Sequence, residues 1–260
     1  MKVVEVGEPG GAFRLIDRPL PEPERNTVRI KVEACGICRS DRATKDGLMP
    51  GITYPRVPGH EIVGQVDALG SDVTTWRTGE RVGVGWHGGH CGLCSFCRAG
   101  DVINCKNRKI CGVSYDGGYA EYMVADQTAL VRVPDELKGA AAAPLLCAGL
   151  TSYNALRNSG ARAGDIVAIL GIGGVGHLAV QFANKMGFRT IAVSKGSDKK
   201  QLATDLGATV HIDAESEEIG TELQNLGGAS VIFATAPDAE LISSSVAGLT
   251  PRGRLYIVAA

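Results

Sequence analysis

The chain has 260 residues, of which 44% are hydrophobic and 21% charged, and its formal net charge is −1. This balance is ordinary for a globular protein and excludes a mainly disordered chain. No apolar run reaches the length of a bilayer, and the N-terminus lacks a basic segment followed by an apolar core. We therefore expect no nucleic-acid partner, no membrane partner and a cytoplasmic location.

Two residue counts are informative, because the chain has 35 glycines and 8 cysteines. Many glycines predict tight turns or close backbone approaches. Half of the cysteines fall between positions 91 and 105. In a chain without a secretory signal, clustered cysteines indicate metal ligands or catalytic thiols before disulfides.

The N-terminal part has the pattern of a β-rich domain. Short valine-rich segments occur near residues 3–6, 27–35, 61–70 and 81–86, separated by proline and glycine. No strong helical period appears before about residue 140. We assign this β-rich domain to residues 1–145.

Three dispersed residues of this part have metal-binding side chains. Cys38 lies in a Cys-x-x-Cys pair with Cys35, which also fits a redox pair. His60 precedes a predicted strand, and Cys147 follows an apolar helical segment. From the residues alone, His60 also fits a hydrogen-bonded turn histidine and Cys147 a small buried side chain.

A second group of cysteines has the spacing of a structural zinc site. Its members are Cys91, Cys94, Cys97 and Cys105. Two residues lie between each of the first three cysteines and the next, and seven lie between Cys97 and Cys105. Four thiolates on a short loop can surround one Zn²⁺ tetrahedrally and leave no position for substrate. The alternative is disulfide pairing, which the absence of secretory features disfavours.

The pattern changes near residue 140, where an alanine- and leucine-rich helical run begins. Strands and helices then alternate, which predicts an α/β domain with a doubly wound parallel sheet over residues 146–260. The predicted helices are Val175–Met186 and Lys199–Leu206, and the predicted strands are Asp165–Leu170, Arg189–Val193, Thr209–Ile212, Val231–Ala234 and Arg254–Val258. Such a sheet normally has six strands. Because the fifth runs almost to the last residue, we expect a truncated chain or a lost edge strand.

A glycine-rich turn between the first strand and helix of this domain predicts a dinucleotide site. The segment Gly171-Ile-Gly173-Gly174-Val175-Gly176 matches G-x-G-x-x-G. Its glycines permit a tight turn and close approach of a pyrophosphate to a helix N-terminus. The alternative is a strand–helix turn that binds nothing.

The end of the second strand bears on the choice of cofactor. An acidic residue there would accept hydrogen bonds from the ribose of NAD. The chain has Ser194 and Lys195 instead, and Lys199 begins the next helix. A hydroxyl and cations suit a 2′-phosphate, so we expect NADP(H) rather than NAD(H). Asp198 argues the other way, since it can still reach a ribose, and the lysines also fit a solvated loop.

Several segments together resemble the zinc-containing medium-chain alcohol dehydrogenases. They are GICRSD, PGHEIVG, the loop CGLCSFCRAGDVINC, PLLCAGLTSY and GIGGVG, in the family's order from residue 35 to 176. The resemblance implies a GroES-like catalytic domain, a Rossmann domain, and two Zn²⁺ per chain. It implies a homodimer or homotetramer for the full-length protein and an alcohol or aldehyde substrate.

The resemblance also implies residue roles. The ligands of the catalytic zinc would be Cys38, His60 and Cys147, with Cys35 left out. Ser40 would accept the alcohol proton, but Ala43 stands where the family often continues the relay with histidine. The remaining implied roles are Asp41 and Glu61 as acids that orient the ligands, Arg39 at the cofactor pyrophosphate, Thr151 against the nicotinamide and Trp86 as a pocket wall or core aromatic.

Three functions follow as hypotheses. The first is a zinc-dependent alcohol dehydrogenase or aldehyde reductase using NADP(H). The second is a zinc- and nucleotide-binding protein without turnover, because the chain is truncated. The third is a zinc-free quinone reductase, which shares the architecture but lacks the cysteine ligands that this chain has.

Overall fold

In a computed structural model, which describes residues 1–258, the chain divides into two units between Cys147 and Ala148. The division lies two residues beyond the boundary expected from the sequence. No helix in residues 1–258 combines the length and apolarity needed to cross a membrane.

The first unit is built around a five-stranded antiparallel sheet with the order β8-β3-β4-β5-β9. Two small two-stranded sheets, β1-β2 and β6-β7, accompany it. The strands are β1 (Lys2–Val6), β2 (Phe13–Asp17), β3 (Thr27–Cys35), β4 (Ile62–Leu69), β5 (Arg81–Val84), β6 (His87–Gly89), β7 (Lys109–Ile110), β8 (Tyr122–Asp126) and β9 (Leu130–Arg132). The helices are short: α1 (Ser40–Lys45), α2 (Ser95–Arg98) and α3 (Gly139–Ala142).

The main core of the first unit lies on one face of this sheet. Alternating residues of β3, including Val28 and Ile30, are fully buried and pack with Ile62 and Val82 of the neighbouring strands. This period of two is the reason that the valine-rich segments form strands. The predicted β-rich character of the N-terminal part is confirmed.

The second unit contains a five-stranded parallel sheet with the order β12-β11-β10-β13-β14. Its strands are β10 (Ile166–Leu170), β11 (Arg189–Ser194), β12 (Val210–Asp213), β13 (Ala229–Ala234) and β14 (Leu249–Ile257). The helices are α4 (Ala148–Arg157), α5 (Gly174–Lys185), α6 (Lys200–Asp205), α7 (Ile219–Asn225) and α8 (Ala239–Ser245). All five predicted strands are present with bounds shifted by a few residues, and the predicted doubly wound sheet is confirmed.

The central strands of the parallel sheet are buried on both faces. Every residue of β10 is buried, and its side chains contribute alternately to two separate clusters of apolar residues. Strands covered on both sides in this way have continuous rather than alternating apolar sequences. The strand order reverses between β10 and β13, which opens a crevice at the carboxyl ends of the strands.

The alanine-rich run around residue 145 does not form one helix as its composition suggested. It breaks into α3, a 3₁₀ turn over Ala143–Leu146 and α4. Cys147 separates the last two with φ −128° and ψ −75°, a non-helical conformation. The break ends the first unit at Cys147.

Candidate functional site

The pairing of β3 with β4 brings two separate sequence segments together. Cys35, the last residue of β3, lies opposite Ile62, the first residue of β4. The chain leaving β3 and the chain entering β4 therefore meet at one end of the sheet. Cys38 and His60 lie on these two segments, within three residues of the paired ends.

A third segment reaches the same place because two glycines make room for it. A Cβ atom on Gly83 would lie 2.6 Å from Leu146 Cδ1, and one on Gly85 would lie 2.5 Å from the Leu146 carbonyl oxygen. Both distances are shorter than a van der Waals contact, so a larger side chain would displace this turn. The glycines allow the 3₁₀ turn to pack on β5 and place Cys147 next to the other two residues.

The resulting cluster has the composition of a metal site. The ligand atoms of Cys38, His60, Glu61 and Cys147 all lie within 4.8 Å of one another. The Sγ atoms of Cys38 and Cys147 are 3.9 Å apart, close to the roughly 3.8 Å that a tetrahedral zinc with Zn–S bonds of about 2.3 Å requires. His60 Nε2 is buried and has no hydrogen-bond partner in residues 1–258. A metal ion would satisfy that nitrogen, so these residues fit zinc.

From the sequence, Glu61 was expected to orient the zinc ligands. Its own carboxylate oxygen lies within 4.8 Å of the ligand atoms of Cys38, His60 and Cys147. Gly36 leaves the space for it, since a Cβ atom there would lie 2.0 Å from Glu61 Oε2. The Cys-Gly-Ile-Cys segment therefore has a steric reason for its glycine. Cys35 is not part of the cluster, and it is a free thiol.

The charges in the cluster are strongly coupled. The hydrogen bond with Cys147 lowers the pKa of Cys38 to about 4 and raises the pKa of Cys147 far above its usual value. Burial opposes a charged imidazole, but the hydrogen bond with Asp41 and the negative charges of Asp41 and Cys38 outweigh it and raise the pKa of His60 to about 9. Burial and repulsion from Cys38 raise the pKa of Glu61 to about 7. Without a metal the cluster thus holds protons that zinc would have to displace.

Asp41 connects two members of the cluster. Its carboxylate accepts a hydrogen bond from the Cys38 backbone N–H at 2.9 Å and lies 3.1 Å from His60 Nδ1. Burial alone would raise the pKa of Asp41, but the hydrogen bond from His60 and the other donors keep it below its usual value. With Nδ1 donating to Asp41, His60 presents Nε2 to the cluster. The ring of Trp86 packs edge-on against His60, with centroids 4.8 Å apart.

Helix α1 carries the other predicted residues near Cys38. Ser40 is its first residue and is half-buried. Arg39 precedes the helix and is exposed. Ala43 lies on the same helix and contributes no polar side chain.

The four cysteines of the 91–105 loop form a second cluster. All four Sγ atoms lie within 4.8 Å of one another, and both the Cys91–Cys105 and Cys94–Cys97 pairs are 3.5 Å apart. These separations are too long for disulfide bonds, and all eight cysteines are free. The thiol geometry fits a tetrahedral zinc site made of sulfur alone.

The glycine-rich turn in the second unit has the predicted strand–turn–helix form. Gly171 adopts φ +89°, and a Cβ atom on Gly176 would lie 1.8 Å from the Gly171 carbonyl oxygen. By contrast, a Cβ atom on Gly173 or Gly174 would meet nothing within 4 Å. Helix α5 begins at Gly174 without a capping side chain. Free N–H groups therefore face open space at this helix end, which fits a pyrophosphate.

The side chains expected at a 2′-phosphate already have partners within the protein. Ser194 Oγ lies 2.9 Å from His211 Nε2, and Lys195 Nζ forms an ion pair of 2.8 Å with Asp238. Lys199 Nζ donates to the Ile172 carbonyl oxygen at 3.1 Å. Sequence reasoning missed His211 and Asp238, because neither is close to the glycine-rich motif in the sequence. Thr151, expected at the nicotinamide, is half-buried on α4.

The fold, the two cysteine-containing clusters and the glycine-rich turn are those of the medium-chain dehydrogenase class. The chain matches the model of the alcohol dehydrogenase GroES-like domain over residues 24–135 and that of the zinc-binding dehydrogenase domain over residues 174–260. The chain belongs to the zinc-containing alcohol dehydrogenase family.

Named relatives support the same family. An alcohol dehydrogenase (patD) of Aspergillus clavatus is 47% identical over 239 residues, and one of Geobacillus stearothermophilus is 37% identical over 260 residues. The matches cover 92% and 99% of this chain, which spans 61% and 77% of the length of these relatives.

Solved structures agree with this fold. A zinc-binding dehydrogenase from Sinorhizobium meliloti bound to NADP superimposes with a TM-score of 0.89 at 31% identity. An NAD-dependent alcohol dehydrogenase superimposes with a TM-score of 0.91 at 29% identity. Each match covers 99% of this chain, and it covers 76% of the first and 77% of the second structure.

Proposed function

We propose that the chain carries a zinc-dependent alcohol dehydrogenase or aldehyde reductase activity, with hydride exchanged between substrate carbon and a nicotinamide cofactor. The observation that carries the proposal is the convergence of Cys38, His60 and Cys147, with the buried His60 Nε2 left without a partner among residues 1–258. Relatives named alcohol dehydrogenases at 47% and 37% identity support the reaction class. Zinc held by two thiolates and an imidazole supplies Lewis-acid polarisation of a substrate oxygen.

The protein residues around the cluster have distinct tasks in this proposal. Asp41 holds the His60 ring through Nδ1, and Glu61 stands beside the three ligands as a further oxygen donor or as a carboxylate that tunes their charge. The hydroxyl of Ser40 accepts the proton of an alcohol. Ala43 has no polar side chain to continue the relay, so the Ser40 hydroxyl passes a proton on through water, the cofactor ribose or another route.

The second cluster has a structural role in this proposal. With Cys91, Cys94, Cys97 and Cys105 as ligands, all four positions of a tetrahedral zinc are taken by sulfur. No position remains for a substrate, so the metal orders the loop without taking part in chemistry. The proposal therefore predicts two zinc ions per chain.

For the cofactor we propose NADP(H), bound with its pyrophosphate over the N-terminus of α5. The missing acidic residue at the end of β11, with Ser194, Lys195 and Lys199 in its place, supports a 2′-phosphate. The pairing of Lys195 with Asp238 weakens that attraction. Arg39 at the pyrophosphate and Thr151 at the nicotinamide complete the proposed contacts.

The test uses the full 260-residue chain. Metal analysis should find two zinc ions per chain, and a panel of aldehydes should show oxidation of NADPH. Protection against thermal unfolding should be greater with NADPH than with NADH. Protein without zinc, or stronger protection by NADH, would overturn the corresponding part of the proposal. Two zinc ions without turnover on any alcohol or aldehyde would favour a binding protein instead.

A further inference from the structure

The carboxylate of Asp41 is the meeting point of four donors. Two belong to the segment entering β4: the Gly59 backbone N–H at 3.1 Å and His60 Nδ1 at 3.1 Å. The third is the Cys38 backbone N–H at 2.9 Å. The fourth is the Tyr119 hydroxyl, which donates to Oδ2 at 2.8 Å from a position 78 residues away in sequence. Asp41 is 3% exposed, so these donors replace water at the buried carboxylate.

We propose that Tyr119 is a positioning residue of the candidate zinc centre, acting through Asp41 on His60 and Cys38. This inference rests on the proposed zinc ligation by Cys38, His60 and Cys147. Oδ1 of Asp41 faces His60 and Oδ2 faces Tyr119, so the tyrosine fixes the rotation of the carboxylate about its Cβ–Cγ bond. Partners that orient a ligating histidine in this way typically change metal affinity when they are removed.

The ring of Tyr119 is held in place independently of its hydroxyl. Its backbone N–H donates to the Pro58 carbonyl at 3.0 Å, and its carbonyl accepts from the Val4 N–H at 2.7 Å. The ring packs edge-on against Phe13, with centroids 6.4 Å apart. A phenylalanine at position 119 would therefore keep the same packing and lose only the donor to Asp41.

The hydroxyl is a donor at every pH of interest. Burial and the neighbouring Asp41 carboxylate raise the pKa of Tyr119 above its usual value. Phenolate would be repelled by Asp41, so the protonated form persists. The geometry thus assigns the hydrogen bond one direction, from tyrosine to aspartate.

The experiment measures zinc release from Tyr119→Phe to a chromophoric chelator. Two phases are expected from the two clusters, and the one belonging to the Cys38 cluster is identified as the phase missing from Cys38→Ala. Tyr119→Phe should weaken zinc affinity in that phase roughly tenfold and leave the other phase unchanged. Tyr115→Phe is the matched control, because the Tyr115 hydroxyl is buried without a hydrogen-bond partner in residues 1–258. It should leave both phases unchanged.

A double-mutant cycle separates positioning from general destabilisation. In the Asp41→Asn background, the added Tyr119→Phe change should have a much smaller effect on zinc affinity than in the wild type, because both act through one carboxylate. Additive effects, or unchanged affinity in Tyr119→Phe, would overturn the inference. These outcomes are read from metal binding alone. Failure to find aldehyde turnover would count against the proposed function and leave this coupling standing.

Discussion

Cys38 and Cys94 are both thiols of a metal cluster, yet their replacement should have opposite consequences. Cys38→Ala removes one of three proposed ligands at a site with an open position, so turnover should be lost and the melting temperature nearly kept. Cys94→Ala removes one proposed zinc ligand from the loop over residues 91–105. The regular structure that is described within this loop consists of two short helical turns. The melting temperature of this variant should fall by roughly 5 °C or more.

Zinc analysis and thermal unfolding of both variants test this contrast. Each variant should retain one zinc ion per chain. Full turnover in Cys38→Ala would show that the first cluster is not the reaction centre, and unchanged stability in Cys94→Ala would remove the structural role of the second.

Gly36 provides a residue-scale test of the position of Glu61. Its backbone does not need a positive φ, so the Glu61 side chain opposes alanine there, chiefly through the carboxylate oxygen 2.0 Å from the point that a Cβ atom would occupy. Gly36→Ala should therefore lower the free energy of unfolding by about 1–3 kcal/mol, as overpacking does. Adding Glu61→Ala should recover most of this loss. Gly7→Ala is the control, since a Cβ atom there meets nothing within 4 Å.

Denaturant unfolding of these variants gives the comparison. If Gly36→Ala is as stable as Gly7→Ala, then the Glu61 carboxylate does not occupy the space beside Gly36.

Helix α8 bears on the choice of cofactor, because the residue that caps it also forms an ion pair with Lys195. Asp238 caps this helix by accepting the Leu241 N–H at 3.1 Å, and its other oxygen pairs with Lys195. Asn caps helices as well as Asp but carries no charge. Asp238→Asn should therefore free Lys195 for a 2′-phosphate and tighten NADPH binding roughly two- to fivefold, with NADH binding unchanged.

Fluorescence titration with both cofactors measures this effect. Asp238→Ala is the companion variant, and it should add a loss of about 1 kcal/mol in stability because the cap is gone. An equal gain for NADH would mean that Lys195 does not face the 2′ position.

At the scale of the whole molecule, each unit has apolar clusters made of its own residues. Removing zinc should therefore affect the units unequally. Chelation should speed hydrogen exchange in the loop over residues 91–105, where Cys105 is the only one of the four thiols that is buried. The amides of β10, which is buried along its full length, should keep their protection.

Exchange followed by mass spectrometry, with and without chelator, resolves the two regions. Equal loss of protection in β10 would show that the metal stabilises the second unit as well. Re-addition of zinc should restore the loop and serves as the control for irreversible damage.

Features determined over short sequence distances were predictable. The spacing of Cys91, Cys94, Cys97 and Cys105 confines four thiols to one loop, and the turn at Gly171 lies directly between a strand and a helix. The alternation of strands and helices after residue 160 predicted the five-stranded parallel sheet, because periodicity is a local property. The helical run predicted from about residue 140 is present as α3 and α4, but it is interrupted where the Leu146 turn packs against Gly83 and Gly85.

By itself the sequence determined the fold class, the family, and the cysteine and histidine residues that are candidate metal ligands. The tertiary structure brought the side chains of Cys38, His60 and Cys147 together: pairing of β3 with β4 joins the first two segments, and the turn packed against Gly83 and Gly85 adds Cys147, 109 residues from Cys38. The same is true of the Tyr119 hydroxyl on Asp41 and of Asp238 on Lys195. These partners have no local pattern, since a hydrogen bond or ion pair depends on distance in space and not on distance along the chain.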